Sequence, residues 1–172
     1  DRKRTEMYLQ NINRDELKKT TTSLESFIAK LDVKINFTEL TKDNAARVSQ
    51  MTQRTNQFNF TTIRRSETEV WSAQSNEDMQ FMVVDVSDRF GDYGIVGVAM
   101  FKTNAKALYI DSFLLSCRAL GRGVEQRMLY RIGEIAQEEN LDIIEIPFNV
   151  TAKNKPAAQF LDGTLKEFRF SM

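Results

Sequence analysis

The sequence predicts an α/β domain in which a mixed, mostly antiparallel sheet carries helices on both faces, and three observations support it. β-Rich runs at 79–86 and 95–101 bracket Ser87-Asp88-Arg89-Phe90-Gly91-Asp92-Tyr93-Gly94, whose aspartates and glycines mark a hairpin. An apolar strand at 107–115 runs straight into Arg118-Ala119-Leu120-Gly121-Arg122-Gly123, which opens an amphipathic helix carrying Val124, Met128, Leu129, Ile132 and Ile135. A further strand at 142–148 then completes a β-α-β unit.

Residues 3–19 are charged, with sparse apolar positions at Met7, Tyr8, Ile12 and Leu17, and read as a surface helix or a tether. Thr22 and Glu25 have capping-box spacing before Leu24, Phe27, Ile28 and Leu31, so a short helix is expected there. The alternation at 33–37 marks a first strand. Thr41 is the expected cap of a helix through Ala45, Val48 and Met51, which ends near the polar segment Gln53-Arg54-Thr55-Asn56-Gln57-Phe58-Asn59. Ser66 and Glu69 form a second capping pair before Val70 and Trp71. After the hairpin and the strand at 107–115, a helix is expected over 122–139, then the strand at 142–148 and a short helix at 154–161 that Asn154 caps and Pro156 starts. Phe168 and Phe170 are read as the start of a closing strand. The expected organisation is a helical appendage over 1–31 and one domain over 32–172.

Twenty-four basic residues balance twenty-four acidic ones, so no broad field exists to attract nucleic acid or an anionic membrane. Any phosphate must be held by local groups. Cys117 is the only cysteine and histidine is absent. That removes a disulfide framework, Ser-His-Asp and Cys-His catalysis and histidine-ligated metals, so no metal site is expected. With a charged start and no apolar run of about 20 residues, a cytoplasmic protein is expected, with no nucleic-acid or membrane partner.

Chemistry is concentrated at the start of the helix after the strand at 107–115. The first amides of a helix lack intrahelical partners, and the macrodipole adds partial positive charge, so a phosphate is favoured there while glycines let it approach the backbone. The stretch is neither G-x-x-x-x-G-K-[ST] nor G-x-G-x-x-G after a first strand. The alternative is that the two glycines only permit a tight strand-to-helix turn. Cys117 stands just before this start, between Ser116 and Arg118, where positive charge favours a thiolate; it is either a nucleophile or an inert residue beside the strand end. Arg54, Asn56 and Gln57, with Arg64 and Arg65 beyond, offer donors suited to the carboxylate or phosphate of a small acid.

The order arginine, two residues, glycine, one residue, glycine resembles the coenzyme A diphosphate loop of the GNAT acyltransferase superfamily, and Asn154-Lys155-Pro156-Ala157-Ala158-Gln159-Phe160-Leu161 is similar to its N-x-x-A-x-x-F-Y segment apart from the last residue. That resemblance implies central strands that splay to admit the pantetheine arm. It also implies a cofactor site at Leu115, Ser116, Cys117, Arg118, Leu120, Gly121, Arg122, Gly123, Val124, Lys153 and Asn154, and a catalytic carboxylate at Asp111. Leu161 replaces the tyrosine that commonly protonates the departing thiolate, with Tyr109 or Ser116 as substitutes.

Asp1-Arg2-Lys3-Arg4-Thr5-Glu6-Met7-Tyr8, the segment from Gln53 to Asn59, Asp88-Arg89-Phe90-Gly91-Asp92, Ser116-Cys117-Arg118 with Gly121-Arg122-Gly123-Val124-Glu125, and Thr151-Ala152-Lys153-Asn154 together resemble the C-terminal region of FkbH-like proteins. This narrower resemblance implies transfer of a glyceryl group from an acyl phosphate to the phosphopantetheine thiol of an acyl carrier protein, toward methoxymalonyl-type extender units for polyketides. It also implies an upstream HAD-like domain, whose D-x-D-x-[TV] start this chain lacks. The partners implied are the carrier protein, that domain and a small acyl substrate. An acetyl-CoA-dependent N-acetyltransferase acting on a small amine, or a non-catalytic carrier-docking module, are the rival expectations.

Overall fold

Six helices and five strands follow one another in the computed structural model, which describes residues 2–169. They are α1 (Arg2–Thr20), α2 (Leu24–Leu31), β1 (Lys34–Thr38), α3 (Ala45–Arg54), α4 (Glu67–Asn76), β2 (Gln80–Asp88), β3 (Gly91–Thr103), β4 (Ala107–Leu115), α5 (Val124–Glu138), β5 (Ile143–Glu145) and α6 (Lys155–Arg169). The strands form one sheet in chain order, antiparallel from β1 to β4 and parallel between β4 and β5. The expected mixed, mostly antiparallel sheet is therefore present.

Alternating strand residues sort the core into two layers. Val84 and Val86, with Leu108 and Phe113, face Met128 and Ile132 of α5 and Ala157 and Leu161 of α6. Val83, Val98 and Leu114 face Val48 and Met51 of α3 and Val70 and Ala73 of α4. Three bulges interrupt the alternation, one of them at Tyr93 in β3, because Val86 pairs with Gly94 and Ser87 with Asp92. Asp111 is the extra residue in β4, because Met100 pairs with Ser112 and Phe101 with Ile110. Val96 is the extra residue in β3, and its carbonyl accepts a hydrogen bond from the Ser116 amide at 2.7 Å. The bulges at Asp111 and Val96 thus aim the end of β4 and the loop after it.

Several expected boundaries shift for local reasons. Ser23, not Thr22, caps α2, its hydroxyl accepting from the Ser26 amide at 3.1 Å. Asn44 precedes α3 with no side-chain cap bond, while the Thr41 carbonyl accepts from the amides of Asn44 and Ala45. The Ser66–Glu69 capping box is formed in both directions. Only 143–145 of the expected strand pair with β4. Phe168 falls within α6 rather than a closing strand, and Phe170 lies outside the described residues.

Residues 1–31 were expected to form an appendage, and within them α1 is docked by one buried side chain. Arg14 reaches Asp88 of the β2–β3 hairpin through Nε at 2.7 Å and a second nitrogen at 3.0 Å, and both side chains are almost wholly buried. Phe27 and Leu31 of α2 are buried as well.

Candidate functional site

β4 and β5 part company after three paired residues, so the expected splay is present. It is not empty. The segment 58–60 lies in the gap as a short strand of its own: Leu115 donates its amide to the Phe58 carbonyl, and Phe60 donates to the Phe113 carbonyl, each at 3.0 Å. On the other side the Asn149 amide donates to Phe60 at 2.8 Å. Phe58 and Phe60 fill the wedge with aromatic mass, Phe60 stacking on Phe113 at 4.6 Å between centroids and Phe58 lying 5.3 Å from Phe160. The Leu115 amide and the Phe113 carbonyl are therefore already taken on the edge of β4 that a pantetheine arm would meet in the wedge.

Asn154 is taken as well. It is 1% exposed, and its amide group donates to the carbonyls of Asn59 at 3.0 Å and Asn149 at 2.7 Å, while its oxygen accepts from the Thr151 amide. Both of its donor hydrogens and its oxygen are engaged in fastening the 58–60 segment to the loop before α6. Lys153 sits exposed on that loop and does not line the cleft described below.

The expected catalytic carboxylate at Asp111 is likewise engaged. Arg65 grips it with two nitrogens at 2.8 and 3.0 Å, and the Ser112 hydroxyl donates to it at 2.8 Å. Both of its oxygens are thus occupied by the protein's own donors. Arg64 is tied to the Thr52 and Thr55 carbonyls and to Asn56 Oδ1. Leu161 is core, and Tyr109 is the third residue of β4, six residues from its loop end and about 20 Å away.

Where the 58–60 segment leaves β4, a cleft of about 310 Å³ opens, lined by Arg47, Met51 and Arg54 of α3, by Thr55, Asn56 and Gln57, and by Leu115, Ser116 and Cys117. It joins the three expected substrate residues to three of the expected cofactor residues. Arg64 holds Asn56 in place, and the Cys117 side chain is exposed. Sequence reasoning missed Arg47 and Met51. Their spacing to Arg54, i, i+4 and i+7, was the available signal, since it puts all three on one face of α3.

Beyond Cys117, residues 117–119 make a single 3-10 turn. Gly121 and Gly123 then take φ of 72° and 82°, with open space where a Cβ would stand on either. Arg127 is the first residue to bond back within α5, to the Gly123 carbonyl, so the amides of Val124, Glu125 and Gln126 have no acceptor in their own helix. The Val124 side chain is core, so only its backbone faces this site. The Arg122 guanidinium folds onto the Arg118 carbonyl and lies 5.3 Å from the Tyr93 ring centroid. Leu120 closes the turn with its amide on the Cys117 carbonyl. Buried Glu125 donates nothing but places Oε1 3.1 Å from the Gly121 amide, while its Oε2 lacks a partner. Among the described residues no cluster of potential ligands suits a metal, and no helix is long and apolar enough to cross a membrane.

No family model and no curated protein matches this sequence. Solved structures do. Ard1 from Thermoplasma volcanium is similar at 17% identity and TM-score 0.56, over 76% of this chain and 80% of its own. The ribosomal-protein-S18-alanine N-acetyltransferase of Escherichia coli is similar at 12% and 0.53, over 76% of each chain. AAC(6')-Iy, solved with the bisubstrate analogue CoA-S-monomethyl-acetylneamine, is similar at 7% and 0.52, over 77% and 89%. At these identities the likeness is one of architecture, and it agrees with the strand order, the β4 bulge and the parting of β4 from β5: the chain has the GNAT fold.

Proposed function

We propose that this chain is a GNAT-type acyltransferase domain that binds a phosphopantetheine-type thiol, coenzyme A or the arm of an acyl carrier protein, and takes part in transferring a glyceryl or related acyl group onto that thiol. The observation that carries it is the open glycine loop at the start of α5 joined to the cleft at Cys117. At the phosphate end the first amides of α5 lack an acceptor in their own helix, and neither glycine is crowded. The arm would follow the cleft beside Asn56, Gln57 and Ser116, because the 58–60 segment fills the wedge.

When bound, the thiol supplies the sulfur that accepts the acyl group. The chain's own residues do the rest: the loop amides hold phosphate, and Arg54, Asn56 and Gln57 orient the small acid. Cys117 is the one thiol lining the cleft. Its attack on an acyl phosphate would form a carbon–sulfur bond as the carbon–oxygen bond breaks, phosphate leaving with the electron pair and taking up the thiol proton; exchange with the cofactor thiol would then carry the acyl group on and return Cys117 as the free thiol. Carrier protein and an upstream HAD-like domain complete this reading as partners.

The N-acetyltransferase activities of the similar structures favour a second reading, N-acetylation of a small amine from acetyl-CoA. Against it stand Asp111 locked to Arg65 and a leucine at position 161. Titration of wild type and Gly121→Val with coenzyme A and with holo carrier protein tests the binding. Saturable binding weakened at least tenfold by the branched side chain is expected, and equal binding by both proteins would refute the loop assignment. Turnover of acetyl-CoA with an amine panel, set beside mass spectrometry of an acyl adduct on wild type and Cys117→Ser, separates the two readings.

A further inference from the structure

We propose that the Arg47–Arg54 face of the cleft is an anion subsite, so that the acyl group handled here carries a carboxylate or phosphate in addition to the carbonyl being transferred. The inference rests on the acyl-transfer reading and names its substrate class. Arg47, Met51 and Arg54 lie along one face of α3, and the arginines flank the methionine at the cleft wall. None of the nine lining residues is a carboxylate, and neither arginine makes an ion pair among the described residues.

Two of the most enclosed guanidiniums are matched by carboxylates, Arg14 by Asp88 and Arg65 by Asp111, whereas Arg122, like Arg47, is held by a main-chain carbonyl. Arg47 spends its bonds on a main-chain carbonyl, Ile95, and on the amide oxygen of Gln50, which fixes the group in place and leaves its charge unmet. Burial first, and then the fields of Arg118 and Arg54, push the Arg47 pKa below its ordinary value. Like charges gathered without a counter-charge are relieved by a bound anion. Planar guanidiniums suit carboxylate and phosphate alike, and Asn56, Gln57 and Ser116 supply neutral hydrogen-bond partners for the remaining oxygens.

Calorimetric titration of the whole chain with malonate and, separately, with inorganic phosphate at low ionic strength tests the subsite. At least one anion is expected to saturate, and whichever binds more tightly identifies the group. Arg54 is exposed at the end of α3, so Arg54→Met should fold normally and weaken that binding about tenfold. Arg89→Met removes the same charge from the exposed hairpin tip and should stay within about twofold. Absence of saturation by either anion, or equal losses in the two variants, would overturn the proposal. Coenzyme A titrated against the same proteins keeps the failures apart: anion binding without coenzyme A binding removes the cofactor reading alone, and the reverse removes the subsite alone.

Discussion

Glu125 puts a carboxylate where a helix start invites an anion. Its Oε1 takes the Gly121 amide, and its unpartnered Oε2 lies buried beside the amides that a phosphate would use. Negative charge at this end of α5 stabilises the helix and competes with a ligand's phosphate for the same partial charge. Glu125→Gln retains an oxygen for Gly121 and removes the charge. It should tighten coenzyme A by about 1 kcal/mol, roughly fivefold, in a calorimetric titration. An unchanged Kd would mean that no phosphate sits beside Gly121. The loop was legible as a motif, because a strand end, two glycines and an amphipathic helix are all local features. The engagement of Asp111 and Asn154 was not, because their partners Arg65 and Asn59 lie 46 and 95 positions away in the chain.

At the scale of elements, the segment 58–60 decides what the fold can bind. Of the six strands expected, five are present and the closing one at Phe168 is replaced by the end of α6; three residues are too few for a periodic signal, and the 58–60 segment reads in sequence as the end of a polar run. Only its pairing with β4, some fifty positions on, and the burial of Phe58 and Phe60 disclose it. The consequence is energetic as well as functional. Phe60 is fully buried and touches Phe58, Phe113 and Phe148 at ring distances of 5.7, 4.6 and 5.9 Å. Phe60→Ala should therefore cost about 3–5 kcal/mol in urea denaturation. A loss below about 1 kcal/mol would show that the segment is loosely held and leaves the wedge open to a pantetheine arm.

Across the whole molecule, α1 is joined to the glycine loop before α5 through one ring. Arg14 lies 4.2 Å from the Tyr93 centroid on the way to Asp88, the Tyr93 hydroxyl donates to Asp88, and Arg122 of the loop lies over the same ring. Burial acts to raise the Asp88 pKa, but hydrogen bonds from Arg14, Tyr93 and the Phe90 amide outweigh it and hold the carboxyl below its ordinary value. Burial and the bond to Asp88 push the Tyr93 hydroxyl up to about 12. The two shifts bound a pH window. The depressed Asp88 stabilises the fold above its unfolded pKa of about 4, and that contribution is lost as pH falls through the folded value. The raised Tyr93 stabilises the fold fully below about pH 10, and its contribution is lost as pH climbs from there toward 12. Tyr93→Phe removes the hydroxyl, so its stability deficit relative to wild type should be constant from pH 7 to 9 and shrink above pH 10 when urea midpoints are compared. Arg14→Met leaves Asp88 buried without its cation and should cost about 3–5 kcal/mol at neutral pH. If instead the Tyr93→Phe deficit persists unchanged at pH 11, the hydroxyl is not held protonated by Asp88, and α1 and the loop are joined by packing alone.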